Sequence, residues 1–192
     1  MLKYLVLDTE TNGIGTFRPP TQSLVQISWI RENGTEHDYL VKGATAISDS
    51  PTYPCKHITV ERLNAEGVSF ADVWPQLRKD IEEVDVVVIH NANFDMGIIL
   101  REMSLAKLPR SEKEWLCSQK VCCTMKKSEK YCALPKTGYA KKWPGFKWPK
   151  LEELYTKLFN EAITDRFTLH NSLDDCRVLK LCYEKGQEVG IF

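Results

Sequence analysis

The chain has 192 residues, 43% of them hydrophobic and 27% charged, with 26 basic and 26 acidic residues. That composition excludes a disordered, collagenous or coiled-coil chain, and no apolar run reaches the roughly 18 residues of a membrane span. The charge balance is uneven: nine of the basic residues, all lysines, fall between Cys117 and Lys150 with a single acid, Glu129. A neutral chain with one basic segment points to a localised anionic partner.

Residues Lys3 to Asp8 (KYLVLD) read as a short buried strand, closed by the turn signal Thr11-Asn12-Gly13. The first eleven residues carry Lys3, Asp8 and Glu10, and lack the basic head and apolar middle of a secretion signal. Seven cysteines, an odd number, fit free thiols in the cytoplasm or another reducing intracellular compartment, with no membrane partner. Cys117, Cys122, Cys123 and Cys132 cluster without a C-x-x-C pair, so buried thiols are expected there before a zinc site.

Ser23–Ile30 and Thr35–Val41 read as two further strands joined by the hairpin signal Glu32-Asn33-Gly34. Thr59–Glu66 and Ser69–Val84 read as helices capped by Thr59 and Ser69. Asp85–Ile89 is a β-branched run with the look of a central strand, and Asn93–Met103 follows as a helix. From Ser111 to Lys147 the periodicity is poor. Pro149–Asn160 and Leu173–Val189 read as the last helices. The expectation is an α/β fold: a mixed sheet, antiparallel at its start and parallel after it, flanked by helices. One domain is expected over residues 1–192, with a basic irregular insertion at about 117–150.

The informative residues are acids placed where acids are costly. Asp8 and Glu10 end an apolar strand, and residues i and i+2 of a strand share a face, so both carboxylates project together with Thr9 turned away. Asp95 follows the central strand through His90-Asn91-Ala92-Asn93-Phe94 and lies near a helix start, which favours an anion. On the last helix, at about 100° per residue from Leu173, Cys176, Leu179 and Cys182 fall near roughly 300°, 240° and 180°. Asp175 falls at about 200°, inside that apolar stripe, and Asp174 at about 100°, outside it. A carboxylate on a core face must be paired, protonated or bound to a metal. His170 stands five residues before Asp175 and reaches over the first turn toward it.

Four carboxylates and a histidine that converge fit two divalent cations, Mg²⁺ or Mn²⁺, which are hard ions that prefer oxygen. Two such ions about 3.5–4 Å apart clamp the oxygens of a phosphoryl transfer, and a neutral histidine can accept the proton of the attacking water.

The segments LDTETNG (7–13), HNANFD (90–95) and HNSLDD (170–175) resemble the three motifs of the DEDDh, or DnaQ-like, 3′→5′ exonucleases. That family includes the proofreading subunit of bacterial DNA polymerase III and its stand-alone relatives. The resemblance implies an RNase H-like sheet and two-metal hydrolysis that frees nucleoside 5′-monophosphates from the 3′ end of a single strand, DNA before RNA. Asp8, Glu10, Asp95 and Asp175 match the metal-binding acids, and His170 matches the general base. Thr11, Asn12, Gly13 and Ile14 would contact the terminal nucleotide, and Asn91 and Phe94 would line the same pocket. A DNA polymerase or replication partner also belongs to what the resemblance implies. Ser172 stands where alanine is frequent.

Within the basic segment, lysines interleave with Tyr131, Tyr139, Trp143, Phe146 and Trp148, which suits phosphate contact and base stacking on a single strand. Lys141, Lys142 and Trp143 are the candidates there, against the alternative that the aromatics plug the core. The competing class is a non-catalytic nucleic-acid-binding or polymerase-tethering module on the same fold, which loss of an acid or of His170 would have favoured.

Overall fold

The structure is a computed structural model that describes residues 2–16, 21–163 and 167–192. Strands β1 (Tyr4–Thr11), β2 (Leu24–Arg31) and β3 (Glu36–Leu40) form the expected antiparallel meander. Helices α1 (Val60–Glu66) and α2 (Phe70–Glu82) follow, and their N-caps are Thr59 and Ser69, each hydroxyl accepting a first-turn N–H. Strand β4 (Val86–Ile89) pairs parallel with β1, and helix α3 (Ala92–Leu105) leaves its end. The sheet has the order β3-β2-β1-β4-β5, so β1 lies at its centre.

The segment expected to be irregular is regular in its first half. Helix α4 (Arg110–Cys117) leads into β5 (Val121–Cys123), which extends the sheet parallel to β4. Two short helices, α5 (Thr124–Lys127) and α6 (Glu129–Cys132), come next. The three-residue β5 is too short to show a period, and only its pairing with β4 defines it. From Leu134 the chain makes an excursion closed at its neck by an antiparallel bridge between Leu134 and Lys147. Helices α7 (Leu151–Phe159) and α8 (Ser172–Glu188) complete the chain. Proline thus precedes α7 instead of opening it.

The alternation of β1 decides where the site lies. Leu5 and Leu7 face one side of the sheet, where they pack with Trp29, Ile89, Leu77 of α2 and Ile98 of α3. Tyr4 and Val6 face the other side, against Cys176, Leu179 and Tyr183 of α8. Both faces of the central strand are therefore dry. Leu7→Ala should cost about 2–5 kcal/mol, the range for a fully buried leucine. Asp8 and Glu10 continue the Tyr4–Val6 face and so point toward α8, while Thr9 continues the face of α3. Among the described residues no helix is long and apolar enough to cross a membrane.

Candidate active site

Three elements meet at one end of the sheet, beside the C-terminus of its central strand. The C-terminal half of β1 brings Asp8 and Glu10, the first turn of α3 brings Asp95, and the first turn of α8 brings Asp175. Asp95 is 2% exposed. It is held by Thr9, whose main-chain N–H and hydroxyl both donate to Asp95 Oδ1 at 3.0 and 2.8 Å. The pairing of β1 with β4 stops at Val6, so the Thr9 N–H on that side has no strand to bond, and the Asp95 carboxylate takes the place of one.

Asp175 accepts from the main-chain N–H of His170 at its Oδ2 (3.1 Å), while its Oδ1 is shielded from solvent and has no hydrogen-bond partner. Asp174 points away, to Arg177 and the N–H of Thr168, as its place outside the apolar stripe requires. Asn171 caps α8 by accepting from the N–H groups of Leu173 and Asp174. Ser172, wholly buried, shares a 2.6 Å hydroxyl contact with Ser28, and its N–H donates to Gln26. The serine thus pins the start of α8 to β2, a tie that alanine would lack.

Glu10, His170 and Asp175 each offer a ligand atom within 4.8 Å of the other two, the arrangement that can hold a metal ion. The electrostatics agree. Burial, and then the charges of Asp95, Asp175 and Glu10, push Asp8 well above the usual carboxylate range. Burial pushes Glu10 and Asp95 up to about 7, and Asp175 up to about 8 with help from the charge of Glu10. Four carboxyls all raised together are a site short of positive charge. His170 has φ 65°, the left-handed region, and although the residue is exposed, partial desolvation lowers its pKa. Asn91, with φ 69°, caps α3 without a side-chain bond and is exposed.

A pocket of about 360 Å³ opens beside Glu10, and Thr11, Gly13, Tyr53, Cys55 and Phe94 are among its walls. Gly13 has φ 70°, and a Cβ there would lie 2.6 Å from the Tyr53 ring, so glycine is required twice over. Asn12 and Asn91 are not among the walls. The side chain of Asn12 is used inside the protein instead, donating to Ala46 O and accepting from the N–H groups of Ile14 and Ser23. Ile14 is exposed beside the turn.

Three contributors have partners that no local pattern in the sequence announces. Thr9 holds Asp95, Cys55 donates its thiol proton to Glu10 Oε2 at 2.9 Å, and His90 ties the basic segment to β4. Desolvation pushes the pKa of half-buried His90 down to about 4, so its ring is neutral; Nε2 donates to Pro149 O, and Nδ1 accepts from the Thr124 hydroxyl. Lys141, Lys142 and Trp143 lie on the excursion between Leu134 and Lys147, in and after a 3₁₀ turn (Gly138–Lys142). Trp143 is 65% exposed, which excludes the expectation that it plugs the core. Glu129 accepts from the N–H of Phe146 and from Trp148 Nε1, so the one acid of the segment is an internal tie. All seven cysteines are free, and among the described residues the Glu10, His170 and Asp175 group is the one with metal-holding geometry.

The RNase T exonuclease family model matches residues 5–183. No curated protein sequence matches the chain. Among solved structures, E. coli exonuclease I in a zinc-ion-bound complex with single-stranded DNA aligns with a TM-score of 0.69 and 16% identity, over 98% of this chain and 41% of its own. The same enzyme with a dA16 oligonucleotide gives 0.69 and 17% over 98% and 41%, and with a dT13 oligonucleotide 0.68 and 18% over 99% and 43%. At these identities the likeness is one of fold, and the chain spans about two-fifths of the length of those proteins.

Proposed function

The chain belongs to the RNase T exonuclease family, and on that premise we propose that it is a metal-dependent 3′→5′ exonuclease acting on single-stranded DNA in preference to RNA. What supports this reading most is one observation: Glu10, His170 and Asp175 meet within 4.8 Å around a shielded, unpartnered Asp175 Oδ1. A buried carboxylate oxygen without a donor is costly unless a cation meets it. Asp8, Glu10, Asp95 and Asp175 offer four negative charges and hard oxygen donors, a set that suits two Mg²⁺ or Mn²⁺. Bound there, the two ions would supply the positive charge that stabilises the attacking and leaving oxygens.

The remaining work falls to the chain. His170, its pKa below the ordinary value, is neutral near pH 7 and takes the proton of the attacking water at a ring nitrogen. Its exposure lets that proton leave to solvent. The pocket beside Glu10 seats the terminal nucleoside against Thr11, Gly13 and Phe94; exposed Ile14 of the same turn is the further candidate contact. Lys141, Lys142 and Trp143 hold the strand upstream by phosphate contact and stacking. A polymerase partner has the support of motif resemblance alone.

The test is release of nucleoside 5′-monophosphate from matched 3′-labelled DNA and RNA oligonucleotides with Mn²⁺ or with EDTA. Monophosphates should appear with Mn²⁺ only, faster from DNA, and His170→Ala should lose roughly 10²–10⁴-fold in turnover. Oligonucleotide binding without any cleavage would favour the non-catalytic module.

A further inference from the structure

Cys55 is 1% exposed, yet it forms part of the wall beside Glu10. A buried cysteine ordinarily serves as a small hydrophobe. This one packs with Tyr53, Ile58 and Leu63 and also makes a polar contact, its Sγ–H pointing at Glu10 Oε2, 2.9 Å away. The thiol is carried on a firm support. Along the segment that precedes it, Asn12 Nδ2 donates to Ala46 O at 3.0 Å, Ser48 N–H to Asn12 O at 2.9 Å, and Tyr53 OH to Thr11 O at 2.7 Å. Immediately after it, Ile58 N–H closes a turn onto Cys55 O at 3.0 Å. Residues 46–53 are therefore fastened at three points to the end of β1 and the turn after it, which sets the thiol two residues further on beside Glu10.

Three of the four carboxylates are restrained in the same manner, one oxygen each. Thr9 takes Asp95 Oδ1, the His170 N–H takes Asp175 Oδ2, and Cys55 takes Glu10 Oε2. The restraint leaves the second oxygen of Glu10 for the centre of the group. Without it, a glutamate has a further side-chain torsion to settle, and holding it costs conformational entropy at the moment of binding.

We propose that Cys55 is a positioning residue for the carboxylate site: its thiol fixes the rotation of the Glu10 carboxylate and so preorganises the group for a divalent cation. The proposal rests on the reading that these carboxylates hold such cations. Hydrogen bonds to ligating carboxylates commonly govern metal affinity by 10–100-fold. Cys55 does not touch the reacting atoms.

The experiment compares the whole chain as wild type, Cys55→Val, Cys55→Ala and Cys55→Ser. Calorimetric titration with MnCl₂ alone measures cation affinity, and steady-state kinetics on a single-stranded oligonucleotide separate kcat from KM. Valine and alanine, which lack the donor, should weaken Mn²⁺ binding by about 10-fold. Serine, which keeps a donor, should recover most of it, and the Mn²⁺ concentration for half-maximal turnover should follow the same order. In a Glu10→Gln background, Cys55→Val should cost little further affinity, because the two residues act through one bond. A folded Cys55→Val or Cys55→Ala that binds Mn²⁺ as the wild type does overturns the proposal, as does a loss that persists undiminished in the Glu10→Gln background. If the wild type binds Mn²⁺, the variants behave as expected and no oligonucleotide is cleaved, the exonuclease reading falls and the role of Cys55 stands. A wild type that takes up no Mn²⁺ sinks both.

Discussion

Thr9 gives both its main-chain N–H and its hydroxyl to one oxygen of Asp95. The two residues lie 86 positions apart, and the bond exists because β4 stops pairing with β1 before Thr9 is reached. Thr9→Val keeps the shape and the main-chain bond and removes the hydroxyl alone. The missing bond should cost about 1 kcal/mol of stability, and the Mn²⁺ concentration for half-maximal activity should rise several-fold. Thr9→Ser should restore both. Denaturant unfolding and a Mn²⁺ titration check the pair of effects, and wild-type values for Thr9→Val in both would remove Thr9 from the site.

The acids make a second prediction, with a sign opposite to that of an ordinary ion-paired carboxylate. Glu10 and Asp95 are raised to about 7 and Asp175 to about 8, against about 4 in an unfolded chain. Between those limits the folded protein holds protons that the unfolded chain has released. Without metal, stability should therefore fall as pH rises from roughly 4 to 8 and level off above that. Asp95→Asn removes one charge from the group and keeps an acceptor for Thr9. In EDTA it should melt above the wild type at pH 8, with the advantage shrinking toward pH 5, and it should hydrolyse nothing. Mn²⁺ should flatten the wild-type curve by mass action. The melting-temperature difference between the two proteins across this range isolates the site, and a difference that grows toward pH 5 contradicts the prediction.

Asp174 and Asp175 are adjacent and should behave differently. Asp175 turns into the site with a shielded oxygen, while Asp174 caps the N–H of Thr168 and pairs with Arg177 at 2.8 Å. Asp175→Ala should abolish hydrolysis, because it removes a cation ligand. Asp174→Ala should keep most activity and lose up to about 1 kcal/mol of stability, the scale of a partly exposed pair. Turnover of the two variants under identical Mn²⁺ decides the matter, and an inactive Asp174→Ala beside an active Asp175→Ala would show the helical-face reasoning to be wrong.

How much of a site a sequence can carry depends on distance along the chain. Periodicity within one element is local, so the shared face of Asp8 and Glu10 and the buried aspect of Asp175 are legible in the amino-acid sequence alone. Contacts between distant segments are not. The same alternation that pairs Asp8 with Glu10 turns Thr9 away, because it sorts the faces of a sheet and says nothing of a strand end left open beside a neighbour. Cys55 meets Glu10 across 45 positions with no pattern to announce it. Motif resemblance makes Asn12 a nucleotide contact, and nothing local announces that its amide also ties the turn to Ser23 and Ala46. The basic segment is visible in composition, but β5 is not, since three residues cannot display a period.

The exposed part of that segment carries the last prediction. Lys142 sits over the Tyr139 ring at 4.6 Å, and Trp143 stands beside it at 65% exposure. The excursion is held from below by Glu129 and by His90 on Pro149, so its tip can be altered without loosening its root. If the tip tracks a single strand, Lys141→Ala with Lys142→Ala should raise KM and flatten the slope of log affinity against log salt, by up to about 0.7 for each phosphate no longer neutralised. Turnover at saturating substrate should hardly change, because neither lysine reaches the carboxylates. Trp143→Ala should cost roughly 1–3 kcal/mol of binding if a base stacks there, with the melting temperature near that of wild type because little apolar surface is uncovered. Trp148→Ala serves as the contrast: its indole N–H is a tie to Glu129, so it should lower the melting temperature as well as the affinity. Affinity, salt slope and melting temperature measured on the same variants separate strand binding from support of the fold. A double lysine variant with the wild-type salt slope would place the tip off the path of the strand.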